Sequence, residues 1–257
     1  MLSEQLFRDD TRNSMLWWWP RVADCGVPMP ETRIVEPGEG VLQELFAAIA
    51  DGEQPPDDSA WFSLLKAAAD ELGYPCFMRT DLSSGKHGFD RTCFVRTVTG
   101  LRMNMFALLE ENELAGIMGL DYQALAVREY VEPAAAFTAF RGNLPIGRER
   151  RYFVRDGQVE CRHPYWPVAA FEGRTPLFNR GYVGFDWRLP LADLSIEPPE
   201  EVKLLTGYAE IISQAIGDGY WSVDFMMGAD GRWWFIDMAR GEDSWHPECE
   251  YKEASGC

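Results

Sequence analysis

The stretch Trp221–Glu242, WSVDFMMGADGRWWFIDMARGE, constrains the chain most. Two apolar and aromatic runs flank a turn rich in Gly and Asp, the pattern of an antiparallel hairpin. Each run carries one acid, Asp224 and Asp237. A carboxylate in so apolar a strand is costly unless it pairs or binds a cation. If Gly228–Gly231 form a four-residue loop, Met227 pairs with Arg232, Asp224 with Phe235 and Ser222 with Asp237. The two acids then lie diagonally on one face, roughly 7–8 Å apart at Cα. A three-residue loop would put them on opposite faces. Hard oxygens so placed suit Mg²⁺, which uses one or two carboxylates together with substrate phosphates. The alternative is that each aspartate bonds an arginine, such as Arg240 or Arg79.

Three further segments offer charge in ordered settings. In PCFMRTDLSSGKHGFD, residues 75–90, a strand presents Arg79 and runs into a loop with Ser83, Ser84, Gly85, Lys86, His87 and Gly88. Small residues expose backbone N–H groups to anions, and Arg79 and Lys86 add positive charge. The Walker A pattern GxxxxGK[ST] is absent, and exposed turns often share this composition. The run VREYV, Val127–Val131, and the run from Glu149 through Arg150 and Arg151 to Val154 interleave charge with apolar residues. Such runs line a cleft or form the solvated face of a half-buried strand.

The 257 residues suit one large domain or two closely packed lobes, and 46% hydrophobic with 25% charged residues is globular composition. A net charge of −17 repels nucleic-acid phosphates, so no nucleic-acid partner is expected. It leaves room for ATP, where a local cluster of cations and a divalent metal offset the triphosphate. The six Cys, at 25, 76, 93, 161, 249 and 257, contain no CxxC. That spacing predicts neither a zinc site nor a structural disulfide, and fits a reducing compartment. Glu4, Arg8, Asp9 and Asp10 are unlike a signal peptide, and no apolar run reaches the roughly 18 residues of a membrane span. The expected location is the cytoplasm, with no membrane partner.

The pattern of elements mixes helices with antiparallel hairpins. Residues 14–35 read as irregular, and Leu42–Ala50 as a first helix before the loop Asp51–Asp58. A helix capped by Asp58 or Ser59 follows, with Phe62, Leu65, Ala69 and Leu72 on one face and Gly73 past its end. Cys76–Arg79, Thr92–Val98 and Ala124–Val131 read as strands, and Leu101–Met118 as a helix. Arg150–Val154 and Gln158–His163 flank Asp156-Gly157, a hairpin turn signal. Residues 164–200 give no clear assignment. Glu200–Ile216 is helical, with Val202, Leu205, Ala209, Ile212 and Ile216 on one stripe. Without regular βαβ alternation, the expected class is α+β, in two lobes.

In this order the segments resemble the ATP-grasp superfamily. The motifs are WWPRV with VPMPET, FMRTDLSSGKH, VREYV, LPIGRERRYFVRDGQVECRHPYW and WSVDF…GRWWFIDMARGEDS, over roughly residues 15–245. They look most like the phage and bacterial clade named for an arginine and two lysines. More distantly they are similar to the eukaryotic cell-division-cycle assembly chaperone of the same fold. The resemblance implies an ATP site between two lobes, a smaller one at 75–130 and a larger one at 131–257, with 1–74 packed on this core. It implies ATP and Mg²⁺ as cofactors. Arg79 and Lys86 would contact phosphates. Arg128, Glu129 and Tyr130 would sit at the adenine or ribose hinge. Glu149 and Arg151 match the clade's Glu-x-Arg pair, and Asp224 and Asp237 match the two metal positions, with Arg151 and Lys86 as the catalytic cations. Many ATP-grasp enzymes place Asn two residues after the second acid, but this chain has Ala239, which binds no metal. Glu242 is the available substitute.

Two functions follow from the resemblance. One is an ATP- and Mg-dependent carboxylate–amine ligase acting through an acyl-phosphate on an unknown small-molecule or peptide acceptor. The other is a non-catalytic ATP-binding assembly factor or chaperone.

Overall fold

The computed structural model describes residues 11–37, 41, 60–116, 122–141, 143–172 and 185–247. The chain divides into two compact units: Met1–Met29 with Val131–Thr138 and Pro145–Cys257, and Pro30–Tyr130 with Ala139–Leu144. The expected helix at 42–50, its following loop and the Asp58 or Ser59 cap lie outside the described residues.

In the second unit a four-stranded sheet runs β1-β4-β2-β3, from strands β1 (Thr32–Val35), β2 (Cys76–Thr80), β3 (Phe94–Val95) and β4 (Leu125–Glu129). Its pairings are antiparallel. Cys76, Met78, Leu125, Val127 and Val35 form one face and join a core with Trp61, Leu65, Ala69, Leu101, Met105 and Leu108. Those partners come from helices α2 (Ala60–Leu72) and α3 (Leu101–Gly116). The buried stripe of α2 centres on Trp61 and Leu65, leaving Phe62 and Leu72 only partly buried. The expected strand at 92–98 contracts to Phe94–Val95 because the Asn104 amide donates to the carbonyls of Thr92 (3.1 Å) and Phe94 (3.0 Å). A side chain thus takes acceptors that a longer ladder would have used.

The first unit holds a second four-stranded sheet, β10-β9-β7-β8, from β7 (Glu149–Arg155), β8 (Gln158–Pro164), β9 (Tyr220–Met227) and β10 (Trp233–Arg240). Both expected hairpins form, the first turned by Asp156 and Gly157 at positive φ. A small hairpin, β5 (Ala135–Ala139) and β6 (Leu144–Gly147), was not anticipated, and its tip groups with the second unit.

One face of the second sheet is apolar. Phe225, Phe235, Val223 and Tyr152 are buried there. Helix α5 (Pro199–Ile216) buries Leu205, Ala209 and Ile212, and its Tyr208 ring lies 6.3 Å from Phe225. Residues 14–35 are not irregular: they hold helix α1 (Met15–Val22) and strand β1. Pro20 and three Trp give α1 little intrinsic preference, so packing decides. Ser14 caps the Leu16 amide, Trp18 meets Phe235 edge-on at 5.8 Å, and Trp17 stacks on Trp221 at 5.4 Å. Among residues 164–200, a short helix α4 (Arg188–Leu194) is the main described element.

A buried ion pair ties α5 to the sheet. Arg150 Nε donates to Glu201 at 2.6 Å, and the guanidinium also donates to the carbonyls of Glu149, Leu194 and Ile196. Burial lowers the Arg150 pKa and raises that of Glu201, and each partner's charge opposes the shift. Arg150→Met leaves buried Glu201 with only the longer contact to Arg148, at 3.5 Å, and should cost about 3 kcal/mol. Adding Glu201→Leu should recover most of that loss, and urea denaturation of the variants measures both.

Candidate functional site

The other face of the second sheet is where chemistry collects. Cross-strand register aligns His163 with Arg151, Arg151 with Asp224, and Asp224 with Asp237. Directly paired residues share a face, so these side chains form one transverse row across all four strands. Glu149 lies two residues before Arg151 on the same face. The adjacent row is Cys161, Phe153, Ser222 and Ala239.

The two aspartates share a face, but not by the expected register. The turn spans Gly228–Arg232, with Met227 opposite Trp233. Asp230 favours this longer turn by accepting from the Arg232 amide at 3.0 Å, and Gly231 takes φ 77°. That parity alone would separate the aspartates. A bulge at Ile236 restores them, placing Asp237 directly opposite Asp224 instead of diagonal to it.

Arg151 grips Asp224 with both arms. Nε meets Oδ1 at 2.8 Å and Nη2 meets Oδ2 at 2.8 Å, a bidentate fork. Arginine bonding of an acid therefore holds for Asp224, through Arg151 and not Arg240 or Arg79. Tyr165 lies under the guanidinium at 4.8 Å. Burial by itself would lower the Arg151 pKa. The Asp224 charge and hydrogen bonds, with smaller help from Tyr165 and Asp237, reverse this and raise it. Asp237 Oδ1 accepts from the Met238 amide at 3.0 Å. Glu149 is buried and accepts from Trp166 Nε1 at 3.0 Å.

Glu242 lies 3.6 Å from Arg240 and is half exposed. Among the described residues no group of three or more His, Cys, Asp or Glu is placed to hold a metal, so Glu242 is not gathered with the aspartates. The donor chemistry of the aspartate pair fits Mg²⁺, which needs only one or two carboxylates when phosphates complete its shell.

His163, missed in the sequence, ends the row on β8. Its Nδ1 lies 2.8 Å from the Pro164 carbonyl. Burial, the largest cause, lowers its pKa below the usual imidazole value. The Pro164 carbonyl opposes this, while Arg151 and His246 reinforce it. Ser222 and Trp245 also belong to this face. Ser222 Oγ lies 2.6 Å from Ser244 Oγ, and Arg151 Nη1 donates to the Trp245 carbonyl at 3.2 Å.

The second unit carries the remaining candidates. Arg79 and Arg128 lie on the sheet face opposite α2 and α3, and Arg128 pairs with Phe77, two residues from Arg79. Both are buried. Arg79 Nε donates to the Thr80 carbonyl, and Arg128 Nε to Thr32 Oγ1, each at 3.0 Å. Glu129 is exposed and accepts from the Glu31 amide at 3.3 Å. Tyr130 packs on Phe94 at 4.6 Å. Lys86 opens a short 3₁₀ turn, Lys86–Gly88. The glycines beside it have a packing reason. A Cβ on Gly85 would meet Leu108 of α3 at 2.5 Å, and one on Gly88 would meet Glu111 at 2.5 Å.

The cysteine expectation needs correction. Cys161 is disulfide-bonded, while Cys25, Cys76 and Cys93 are free. This removes the cysteine argument for a reducing compartment. No described helix is long and apolar enough to cross a membrane.

No protein-family model and no curated protein matches the chain. Solved structures do match. Cdc123 from Schizosaccharomyces pombe matches with a TM-score of 0.55 at 13% identity, over 91% of this chain and 85% of that one. N5-carboxyaminoimidazole synthase from Aspergillus clavatus, in complex with ADP and 5-aminoimidazole ribonucleotide, matches at 0.46 and 14% identity, over 90% of this chain but only 45% of its own. A RimK-domain ATP-grasp protein from Sphaerobacter thermophilus matches at 0.43 and 16% identity, over 90% and 60%. The likeness to Cdc123 shows a shared fold, and the described elements make it α+β.

Two outcomes test the site as described. Asp224→Asn strips the charge from a buried fork and should cost about 3 kcal/mol. Asp237→Asn, which leaves the Arg151–Asp224 fork in place, should cost less, about 1 kcal/mol; denaturant midpoints compare the two. His163 gives a pH signature. The unfolded chain takes this proton before the folded one, so stability should be lost as pH falls from about 6.5 through the lowered folded value. His163→Gln should flatten that acid-side slope in thermal melts at successive pH.

Proposed function

We propose that the chain is an ATP- and Mg-dependent ligase of the carboxylate–amine type, acting through an acyl-phosphate, within the phage and bacterial clade its motifs resemble. The observation that carries this reading is the Arg151–Asp224–Asp237 row, which sets one fixed cation beside two facing carboxylates on a rigid sheet. Asp224 and Asp237 would hold Mg²⁺. Bound Mg·ATP supplies the phosphoryl group that activates a carboxylate and the charge that steadies its transfer.

The chain's own part is positioning. Arg151 is held by the fork on Asp224 and by Tyr165, so it presents its charge without loss of side-chain freedom at the moment of reaction. Glu149, fixed by Trp166, stands next to it on β7. In the second unit Arg79 and Lys86 are assigned to phosphates, with Lys86 and Arg151 as the catalytic cations. Arg128, Glu129 and Tyr130 are assigned to adenine and ribose.

A second reading is a non-catalytic ATP-binding assembly factor. It is favoured by Ala239 in place of the usual Asn, and by the likeness to Cdc123 over most of both chains.

Thermal midpoints across a nucleotide and metal panel test nucleotide binding, because a ligand that binds only the folded state raises the midpoint. Mg·ATP should stabilise the wild type, and Asp237→Asn should shrink that shift while leaving the unliganded midpoint unchanged or higher. A large unliganded loss with an unchanged nucleotide shift would refute the metal role. Steady ATP turnover stimulated by an amine acceptor separates ligase from assembly factor.

A further inference from the structure

Helix α5 is apolar on two sides. Leu205, Ala209, Ile212 and Ile216 are buried on the inner side. On the outer side Leu204 and Ile211 are 43% and 41% exposed, with half-buried Gly207 and Tyr208 between them. Residues 204, 207, 208 and 211 stand at i, i+3, i+4 and i+7, so they form one continuous stripe. Packing within a compact unit needs one apolar stripe, and α5 carries a second that faces out.

Gly207 sits at the centre of this outer stripe. Glycine weakens a helix interior more than any residue except proline, and it is kept where another backbone approaches closely. A Cβ on Gly207 would meet nothing within 4 Å, so no neighbour in this chain requires the glycine. A second helix crossing at that point would require it.

The charges on this side choose the occupant. Lys203 and Glu210 lie along one edge of the stripe, and neither has an ion pair or hydrogen bond among the described residues. Set a second α5 antiparallel to the first, about a two-fold axis beside Gly207. Leu204 then comes beside Ile211 of the second copy, and Lys203 beside Glu210 of the second copy, each within one residue. The axis repeats both contacts. Like edges face each other in an antiparallel helix pair, so two opposite-charge pairs close along that edge. A parallel pair would set Lys203 against Lys203 and Glu210 against Glu210.

We propose that the outer face of α5, centred on Gly207, is a self-docking surface through which two copies of this chain pair antiparallel. It fits a second copy because its stripe and its edge charges are each complementary to themselves under a two-fold rotation. α5 packs on the apolar face of the second sheet, so the contact does not touch the Arg151–Asp224 row and is independent of the nucleotide reading. The 18 residues of α5 span about 27 Å. Two single helices of that length bury less than the roughly 1,200 Å² of a tight interface, so the dimer is weak and reversible. The net charge of −17 opposes pairing at low salt. At about 0.15 M salt the screening length is about 8 Å, which mutes repulsion between distant charges and spares groups in contact.

Sedimentation equilibrium at that salt reads the pairing. Over about 5–500 µM the wild type should fit monomer–dimer exchange, reversible on dilution, with a Kd of about 100 µM or tighter. Lys203→Glu and Glu210→Lys each set like charges together and should weaken it at least about tenfold. Mixing these two variants should restore the wild-type affinity, because an all-acidic edge then meets an all-basic one. Gly207→Gln supplies a better helix former, so it should raise the thermal midpoint of the monomer and still weaken pairing at least about tenfold. A wild type that stays monomeric throughout overturns the proposal. Association that the charge variants leave unchanged, or that mixing them fails to restore, also overturns it and assigns the contact to another face.

Discussion

The bidentate contact between Arg151 and Asp224 organises the polar face of the second sheet. Each partner would be costly there alone, because an uncompensated charge among apolar strands loses most of its hydration. Together they make a fixed dipole, and their direct pairing in the β7–β9 register means the backbone ladder sets their approach. Everything else on that face takes its place from them. Asp237 faces the carboxylate side, His163 faces the guanidinium side, and Tyr165 stacks under the cation. The opposite face is apolar and carries α1 and α5, so the sheet divides packing from chemistry.

Much of this was legible in the sequence, because strands and helices declare themselves by period. The Asp156-Gly157 hairpin, a second hairpin turned near Gly228–Gly231, the stripe of α5 and the α+β class all follow from local pattern. The row itself was not legible, because it depends on two bulges. Counting from the Asp156-Gly157 turn without interruption puts Arg162 opposite Arg151 and sends His163 to the other face. The shift between Phe153 and Val154 moves His163 into the row. At the other end, Ile236 performs the same correction for Asp237. A bulge changes the face of every residue beyond it, and nothing in the residue types flanking Ile236 announces one.

The Ser/Gly/Lys loop teaches the opposite lesson. Its composition invited a phosphate reading, yet Gly85 and Gly88 also have a packing reason, since a Cβ at either would meet side chains of α3 at 2.5 Å. Their backbone closeness to that helix does not prevent anion binding, but it removes the glycines as evidence for it. The arginines are more informative. Arg79 and Arg128 share the sheet face away from the helices, and a strand that buries such residues holds them more firmly than a loop would. The α1 region escaped the sequence for a third reason: Pro20 and neighbouring Trp argue against helix locally, and only the aromatic contacts with Trp221 and Phe235 decide otherwise.

The balance between ligase and assembly factor turns on what stands beside Asp237. Ala239 projects from the same face two residues on, where an amide oxygen could have joined the carboxylates. Its cross-strand partner Ser222 does not fill that role, because its hydroxyl is engaged with the Ala239 carbonyl and with Ser244. The row therefore offers two hard anionic side chains, with Asp224 forked to Arg151. Two carboxylates suffice to retain Mg²⁺ on a nucleotide, since phosphates supply the remaining oxygens. Catalysis asks more, because the metal must stay fixed while charge moves from the nucleotide to the acceptor. On the ligase reading, a site short of one neutral ligand would keep the capacity to bind while losing rigidity at the transferring group. On the ligase reading rigidity is left to Arg151, which its fork on Asp224, the Tyr165 ring and the Trp245 carbonyl hold in place on this face.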